Sequence, residues 1–471
     1  ALSGHICRVG LSATIAPLEE VAKFLAGTNR NCKIVDVQFL KEFDLQVISP
    51  LPDLIDTTHA KLHHALYTTI DNLIQDHKTT LIFTNTRAGT ERVVHHLKEK
   101  FPSKYTENIG AHHGSVSKRH RIDIEQRLKE GKLKCVVCST SLELGIDIGY
   151  IDLVICLGSP KSVARFLQRT GRAGHSLHEK VKGRLLVMDR DDLVECAVLL
   201  KNAVEKKIDT IHIPENCLDV LAQQIYGMAI ADRWNIKDMY VVVKRSYCYR
   251  TLLEADFMDV IKYLAGEYVS LEDRHVYAKI YYDEKSGEIG RRGKLARVIY
   301  MTNIGTIPDQ TSILVKINES VVGTLDEPFL ERLQRGDVFV LGGQTYEFLF
   351  SRGMVAQVKA AAGRQPTVPS WFSEQLPLSY DLSLSIQKFR RLMEDLFVNK
   401  HSKEAILEFI RTYLYVDENA TQAIYRYFSE QFLFATIPHD KQMLVEFYHD
   451  DNTRKKYVLF HSLYGRRVND V

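Results

Sequence analysis

The sequence has 471 residues, which at about 150 residues per domain predicts roughly three domains. Apolar residues make up 45% and charged residues 26% of the chain, which excludes a disordered protein. The net charge of +3 does not by itself indicate a nucleic-acid-binding protein. No apolar stretch approaches the about 20 residues that span a bilayer. Eight cysteines are too few for a disulfide framework and favour the reducing cytoplasm.

The first half of the chain alternates short β-branched runs with amphipathic helical stretches. Ser117 is the predicted N-cap of a helix over 118–129, and Gly131 is the residue predicted to end that helix. This alternation predicts a parallel sheet covered on both faces, in an α/β domain over residues 45–190. The predicted strands are 80–84, 108–111, 134–138, 153–157 and 184–188, and the helices between them include 87–100 and 118–129.

After residue 213 the pattern becomes helical. One helix is predicted to open at Pro214, a second covers 236–244, and a third covers 254–264 and ends at Gly266. Three short helices in about 60 residues fit a winged-helix or helix-turn-helix unit. On pattern alone they also fit a small helical connector.

Beyond residue 271 the period shifts to two, which predicts an antiparallel barrel or sandwich followed by further helices and a hairpin. The predicted strands are 276–282, 296–301, 312–317, 321–324, 337–341, 345–350 and 354–359. The predicted helices are 383–396, 403–413 and 420–431, and the hairpin pairs 443–448 with 456–461.

The strongest chemical signal is the segment 168–175, in which Arg169 and Arg172 are interleaved with glycines. Two guanidinium groups so placed can bind a polyphosphate, because the planar fork of arginine stays charged and contacts phosphate through two N–H groups. A solvated basic turn is the alternative. The window 161–190 favours phosphate binding, since it holds eight basic residues against two acidic ones in a chain of net charge +3.

Hydroxyl side chains follow several of the predicted strands. Ser139 and Thr140 come after one strand and Thr86 after another. The C-terminal ends of strands are where α/β folds bind phosphates. Asp147, further along the first of these segments, could accept a hydrogen bond from a ribose hydroxyl or could cap a turn.

Two metal-like spacings are rejected. Cys135 and Cys138 lie within one strand, so that their thiols point to opposite faces of the sheet. His112 and His113 are also strand neighbours, and no acidic residue is adjacent. No metal site is predicted within the chain.

Four segments together resemble the conserved motifs of superfamily 2 helicases. In chain order, 12–14 resembles motif III, 81–87 motif IV, 139–147 motif V and 168–175 motif VI. Further segments resemble the large helicase-related (Lhr) family in their residues, namely 141–147, 214–224, 322–327 and 336–343. This resemblance covers nearly the whole chain. The expected fold class is therefore α/β multidomain: a RecA-like parallel-sheet domain, a winged-helix-like unit, and a β-barrel-like region with appended helices.

The resemblance implies roles at the nucleotide. Arg172 matches the arginine finger that contacts the γ-phosphate of ATP, and Arg169 is the second catalytic candidate. Gly145, Asp147 and Gln168 would line the nucleotide together with Arg172. The last position of motif VI, commonly arginine in the superfamily, is His175 here.

The resemblance also implies contacts with nucleic acid. Trp371 matches a base-stacking tryptophan, although it could instead fill a domain interface. Ser12 and Thr14 would couple the ATP state to the grip on the strand. The expected contacts to the nucleic-acid backbone are Thr86, Arg87, His113, Ser115, Ser139 and Thr140.

The implied function is ATP-dependent 3′-to-5′ translocation and unwinding on single-stranded DNA, DNA duplexes or RNA–DNA hybrids. The phosphate-binding loop and the acidic box that hold ATP and Mg²⁺ are not found, and they are expected to precede Ala1 in a first RecA-like domain. The chain is expected to be truncated at both ends and inactive alone. The predicted domains are 1–44, 45–190, 191–270 and 271–471. A non-hydrolysing nucleic-acid clamp, or half of a split helicase, is the alternative function.

Overall fold

The protein is described by a computed structural model that forms two compact units. The described residues are 7–12, 14–28, 30–36, 42–143, 148–174, 180–267, 278–293, 296–302, 312–361, 364, 366–369, 376–451 and 453–465. The first unit comprises residues 1–38 and 210–309, and the second comprises 39–209 and 310–471. This grouping does not follow the four consecutive segments expected from the sequence, and that division stays a prediction.

The elements are numbered along the chain. The helices are α1 (Leu18–Ala26), α2 (His59–Gln75), α3 (Arg87–Lys100), α4 (Pro102–Tyr105), α5 (Lys118–Lys129), α6 (Val163–Thr170), α7 (Arg190–Val204), α8 (Leu218–Ala231), α9 (Ile236–Lys244), α10 (Glu254–Ala265), α11 (Ala296–Thr302), α12 (Glu327–Leu330), α13 (Tyr380–Val398), α14 (Lys403–Leu414) and α15 (Glu418–Phe434). The strands are β1 (Phe43–Ile48), β2 (Thr80–Phe83), β3 (Ile109–His112), β4 (Cys135–Cys138), β5 (Leu153–Leu157), β6 (Val181–Leu186), β7 (Trp234–Asn235), β8 (Ile280–Asp283), β9 (Glu288–Arg291), β10 (Ser312–Ile317), β11 (Ser320–Asp326), β12 (Val338–Leu341), β13 (Gln344–Arg352), β14 (Val355–Ala360), β15 (Val445–Asp450) and β16 (Lys455–Phe460).

A six-stranded parallel sheet, in the order β1-β6-β5-β2-β4-β3, organises the α/β part of the second unit. Strands β2, β4 and β5 are buried along their whole length. Residues of α5, α6 and α7 cover one face, and residues of α2, α3 and α4 cover the other. The predicted parallel sheet with two covered faces is therefore confirmed. Strand β1 was not predicted, because it is only half-buried and its Asp44 and Gln46 interrupt the apolar pattern.

Local signals in this domain are confirmed at atomic detail. The Ser117 side chain caps α5 by accepting from the His120 backbone N–H, and Gly131 follows that helix with a φ of +67°. Cys135 packs in the core of one sheet face and Cys138 in the core of the other. The two thiols therefore cannot share a metal ion.

The first unit contains a winged-helix arrangement. Helices α8, α9 and α10 pack around a common core with the three-stranded sheet β7-β9-β8, and α10 ends at Gly266 with a φ of +81°. The small sheet favours the predicted winged-helix unit over the alternative, a small helical connector, because a purely helical connector would contain no sheet. Pro214 does not open α8, which begins at Leu218, because hydrogen bonds to Cys248 and Arg250 hold the preceding residues outside the helix.

The predicted strand at 296–301 is wrong, because the segment forms helix α11. Tyr300 of this helix lies against α8 at Gly227, where a Cβ atom would be only 2.5 Å from the phenol oxygen. The Tyr226 hydroxyl donates to the Ala296 carbonyl at 3.1 Å. Packing against α8 therefore overrides the β-branched residues that suggested a strand.

The β-rich part of the second unit is a curled half-barrel sheet in the order β11-β10-β14-β13-β12. Its pairings are antiparallel except for β10 with β14, which is parallel and corrects the expectation of an all-antiparallel sheet. The sheet is attached to the α/β domain by backbone contacts. Ser117 N–H donates to the Val322 carbonyl at 3.0 Å, and Thr324 N–H donates to the Ser115 carbonyl at 2.8 Å.

Gly323 lies at the centre of this attachment, and the Gly323→Ala variant tests it. A Cβ atom there would be 2.4 Å from the Ser115 carbonyl oxygen, and the backbone on both sides must shift to accept it. We expect the free energy of unfolding to fall by about 1–3 kcal/mol or more, measured by urea unfolding. Gly114→Ala is the matched control, since a Cβ atom at that position would have no other atom within 4 Å. Equal stability of the two variants would contradict the attachment.

The C-terminal helices extend one core of the α/β domain. Helices α13, α14 and α15 pack on α7, and Phe389 of α13 stacks on Phe409 and Tyr413 of α14. The hairpin β15–β16 follows, as predicted. In the part of the chain that the structure describes, no helix combines the length and apolar character needed to cross a membrane.

Candidate functional site

The carboxyl ends of neighbouring parallel strands place the predicted motifs along one edge of the sheet. Strands β3, β4, β2 and β5 are adjacent, and the segments that follow them begin at His113, Ser139, Thr84 and Gly158. Parallel strands present their carboxyl ends at the same edge, which is where α/β folds bind ligands. The fold therefore brings motifs IV and V together, and helix α6 places motif VI beside them.

Arg169 is in the last turn of α6 and is fully buried. Its Nε donates to Oε1 of Glu143 at 2.7 Å, and its Nη1 donates to Oδ1 of Asn85 at 3.1 Å. The guanidinium also lies over the Phe83 ring, 5.1 Å from its centroid. Arg169 thus joins the segments after β2 and β4 to α6, and in this position it is enclosed by protein.

Arg172 is three residues further on, in the turn after α6, and is partly exposed. Its Nε donates to the backbone carbonyl of Glu143 at 3.1 Å. Partial burial lowers the pKa of the Arg172 guanidinium, but an arginine remains charged at neutral pH. Of the two predicted catalytic arginines, Arg172 is the one whose side chain reaches solvent.

Glu143 and Asn85 were present in the predicted motifs but were given no role. The Glu143 carboxylate lies 4.0 Å from Nε of Arg165 as well as pairing with Arg169. Nδ2 of Asn85 donates to the Ser159 carbonyl at 2.8 Å, which connects the segments after β2 and β5. An acidic residue shortly before a strongly basic window was the signal that could have identified Glu143.

Thr86 and Arg87 begin helix α3 at this edge. The Thr86 side chain accepts from the Gly89 backbone N–H at 2.9 Å, so Thr86 is the N-cap. Nη1 of Arg87 donates to Oγ of Ser115 at 2.8 Å. The structure therefore brings two predicted nucleic-acid contacts, Arg87 and Ser115, into direct contact with each other.

His113 and Ser115 are both buried, with His113 fully enclosed. Nε2 of His113 is 2.8 Å from Oε1 of Glu91. A side chain in this position does not reach a phosphate, so the direct contact predicted for His113 does not fit its surroundings. Ser115 is likewise buried, and its hydroxyl contacts Arg87.

Ser139 is buried and Thr140 is exposed directly after β4. The next residue, Ser141, donates from Oγ to the His112 carbonyl at 2.9 Å. The ring nitrogen Nε2 of His112 lies 3.0 Å from Glu125. Burial lowers the pKa of the His112 imidazole. This network anchors the start of motif V to β3 and leaves Thr140 available at the surface.

A groove of about 1050 Å³ opens beside motif IV. Thr84, Asn85 and Thr86 line one side, and α13 and α15 contribute Arg390 and Tyr427 to the other. Of the predicted nucleic-acid contacts, Thr86 therefore borders this groove within the second unit.

Several predicted residues cannot be placed at this edge. Gly145, Asp147 and Trp371 lie outside the described residues, as does His175. Gln168 is partly exposed on α6. Ser12 and Thr14 belong to the other compact unit, and their coupling role stays a prediction.

Comparisons with known proteins agree with this arrangement. Residues 62–176 match the helicase conserved C-terminal domain, and residues 201–368 match the winged helix domain of the large helicase-related protein. The fold and these matches support a helicase core of superfamily 2.

Proteins that match over nearly the whole chain indicate the family within this superfamily. The chain is 56% identical over 475 residues to the ATP-dependent helicase Lhr-Core of Methanothermobacter thermautotrophicus, covering 100% of this chain and 55% of that relative. It is 29% identical to the Lhr helicase/uracil glycosylase of Escherichia coli, over 98% of this chain and 33% of that relative. The solved structure of Mycobacterium smegmatis helicase Lhr bound to ssDNA and AMP-PNP matches with a TM-score of 0.74 at 29% identity, over 98% of this chain and 55% of that one.

The chain belongs to the large helicase-related (Lhr) family of superfamily 2 helicases. The predicted family and α/β multidomain fold class are confirmed. The chain spans about half the length of the Lhr-Core relatives that it matches.

Proposed function

We propose that this chain is the part, from motif III onward, of an ATP-dependent helicase that moves 3′-to-5′ along DNA. One observation carries the proposal: the partly exposed Arg172 donates a hydrogen bond to the backbone carbonyl of Glu143 in motif V. This contact lies at the same sheet edge as Thr86 and Arg87. A charge that would sense a nucleotide and groups that would grip a strand are thereby linked through a few hydrogen bonds, by way of Glu143, Arg169 and Asn85. Such a link is what coupling hydrolysis to movement requires.

Arg172 is the group that would contact the γ-phosphate, because its guanidinium is partly exposed and its fork can bind two phosphate oxygens. Hydrolysis of bound ATP would supply the free energy for each step. Arg169 would act differently, by holding Asn85 and Glu143 in place from within the domain. Gly145, Asp147 and Gln168 remain proposed neighbours of the nucleotide, and the Mg²⁺ ligands are proposed to lie in the first RecA-like domain.

Strand binding is proposed to involve Thr86, Arg87, Ser139 and Thr140 at the sheet edge. One mycobacterial relative was solved with ssDNA, which supports a single DNA strand as the ligand. Trp371 is the proposed base-stacking residue, and Ser12 and Thr14 are the proposed coupling residues. Duplex DNA and RNA–DNA hybrids are the proposed substrates for unwinding.

The chain alone is expected to bind single-stranded DNA without hydrolysing ATP. Binding of a fluorescein-labelled oligonucleotide is measured by anisotropy, and hydrolysis by phosphate release. Arg87→Ala should weaken binding about 3- to 10-fold and reduce the salt dependence by about 0.7, the value for one lost phosphate contact on a single strand. Arg119→Ala, an exposed arginine of α5, is the matched control and should have little effect.

Two outcomes would overturn the proposal. Absence of DNA binding by the folded chain would remove the helicase function, and robust DNA-stimulated hydrolysis by the chain alone would show that its nucleotide site is complete. In the full-length protein, unwinding of a duplex with a 3′ tail but not a 5′ tail tests the direction. Binding without any hydrolysis in the full-length protein would instead favour a clamp.

A further inference from the structure

A buried carboxylate connects the α/β domain to the half-barrel sheet. Glu91 is on α3 and is fully buried. Its Oε2 accepts from the Gly343 backbone N–H at 2.8 Å, and its Oε1 accepts from the Gly342 N–H. Its Oε1 also lies 2.8 Å from Nε2 of His113. One side chain thus holds a turn of the sheet and a loop of the α/β domain at once.

A buried carboxylate is costly unless hydrogen bonds and an opposite charge compensate it. The partners of Glu91 are a fully buried histidine and two backbone donors of the turn between β12 and β13. Gly342 and Gly343 have φ values of +64° and +71°, in the left-handed region that favours glycine. The turn is therefore shaped to direct consecutive N–H groups at Glu91.

The loop that Glu91 holds also holds Arg87. His113 and Ser115 are two residues apart, and the Ser115 N–H donates to Nδ1 of His113 at 3.3 Å. Ser115 in turn accepts from Arg87 through its hydroxyl and from Thr324 through its carbonyl. A continuous set of hydrogen bonds thus runs from the sheet, through Glu91, His113 and Ser115, to the partly exposed Arg87.

We propose that Glu91 is a positioning residue for the grip on the DNA strand: it holds the loop of His113 and Ser115 against the half-barrel sheet, so that Ser115 keeps the Arg87 guanidinium in place. The inference rests on the proposed function, since it assigns Arg87 to the strand. The same contacts join the half-barrel sheet to the α/β domain. Glu91 itself does not touch the strand.

The experiment measures binding of a labelled single-stranded oligonucleotide by the 471-residue chain over a range of salt concentrations. Glu91→Gln should weaken binding about fivefold, with the same loss of salt dependence as Arg87→Ala, about 0.7. The double variant should bind no more than about twofold worse than Arg87→Ala, because both changes remove one interaction. Glu99→Gln, on the same helix with a side chain 58% exposed, is the matched control for charge.

The outcomes separate the inference from the proposed function. Absence of binding by the wild-type chain overturns both. A reduced salt slope in Arg87→Ala together with an unchanged slope in Glu91→Gln overturns the inference alone. Losses that multiply in the double variant also overturn it, because a general loss of stability would act independently of Arg87. If the wild-type chain binds DNA and Arg87→Ala binds it equally well, the inference is also overturned, because Arg87 then does not contact the strand.

If Glu91→Gln does not fold, Gly343→Ala tests the same contact between Glu91 and the turn. Alanine at a φ of +71° strains the turn, and its Cβ would lie 3.0 Å from Cγ1 of Val94. We expect about threefold weaker DNA binding, as a smaller disturbance of the same contact. Gly353→Ala is the control, with a φ of +55° in another turn of the sheet and no atom within 4 Å of its Cβ. Equal DNA binding by these two variants would overturn the inference.

Discussion

Replacing Arg172 by alanine in the full-length helicase is expected to reduce DNA-stimulated ATP hydrolysis by at least about 10³-fold. Such a loss corresponds to about 4 kcal/mol of transition-state stabilisation. The reason is geometric: Arg172 is partly exposed, is steadied by the Glu143 carbonyl at 3.1 Å, and carries a charge suited to a developing phosphate charge. Single-turnover hydrolysis at saturating DNA measures the effect.

Single-stranded DNA binding by Arg172→Ala should remain within about twofold of wild type, because the strand contacts proposed above do not include Arg172. Arg172→Lys should restore little activity, since lysine lacks the planar fork. Arg119→Ala serves again as the exposed-arginine control. Hydrolysis near the wild-type rate, or a parallel loss of DNA binding, would exclude Arg172 as the finger.

Arg169→Ala is expected to lower the stability of the second unit by about 3–5 kcal/mol, because it leaves the Glu143 carboxylate without its closest partner. Arg169 is fully buried, and the Glu143 side chain is only 9% exposed. Arg165, whose Nε is 4.0 Å away, can compensate only in part. Urea unfolding of the chain, followed by circular dichroism, measures the change.

Arg165→Ala is the comparison, because it is partly exposed and more distant from Glu143. Its removal should cost less than about 1 kcal/mol. The two variants distinguish a buried positioning role from contact with the nucleotide. Wild-type stability of Arg169→Ala combined with loss of hydrolysis in the full-length protein would show that Arg169 contacts the nucleotide directly.

Elements with a regular apolar pattern were the most predictable part of the fold. The expected bounds of β5, β10 and α9 coincide with those observed. Strand β5, for example, is an uninterrupted apolar run that needs burial on both faces. Caps were equally local: Ser117 and Gly131 act at the ends of α5 as their chemistry indicates.

Elements whose state depends on distant partners were less predictable. Segment 296–302 contains residues common in strands, yet it is a helix because Tyr300 packs against α8 at Gly227. Strand β1 has a mixed pattern, and its pairing with β6 joins segments more than a hundred residues apart. Neither contact can be recognised from the residues that neighbour it in the sequence.

By itself, the sequence identified the family and indicated phosphate binding, because arginines, hydroxyl residues and glycines at set spacings identify motifs that depend on local backbone geometry. Only the tertiary structure decided which motif residues are buried and which reach the surface. Arg169 and Arg172 are alike in sequence, but one is enclosed by Glu143 and Asn85 and the other is partly exposed. Glu91 and Gly343 are 252 residues apart, and their contact exists because burial of a carboxylate requires donors that only the folded chain can supply.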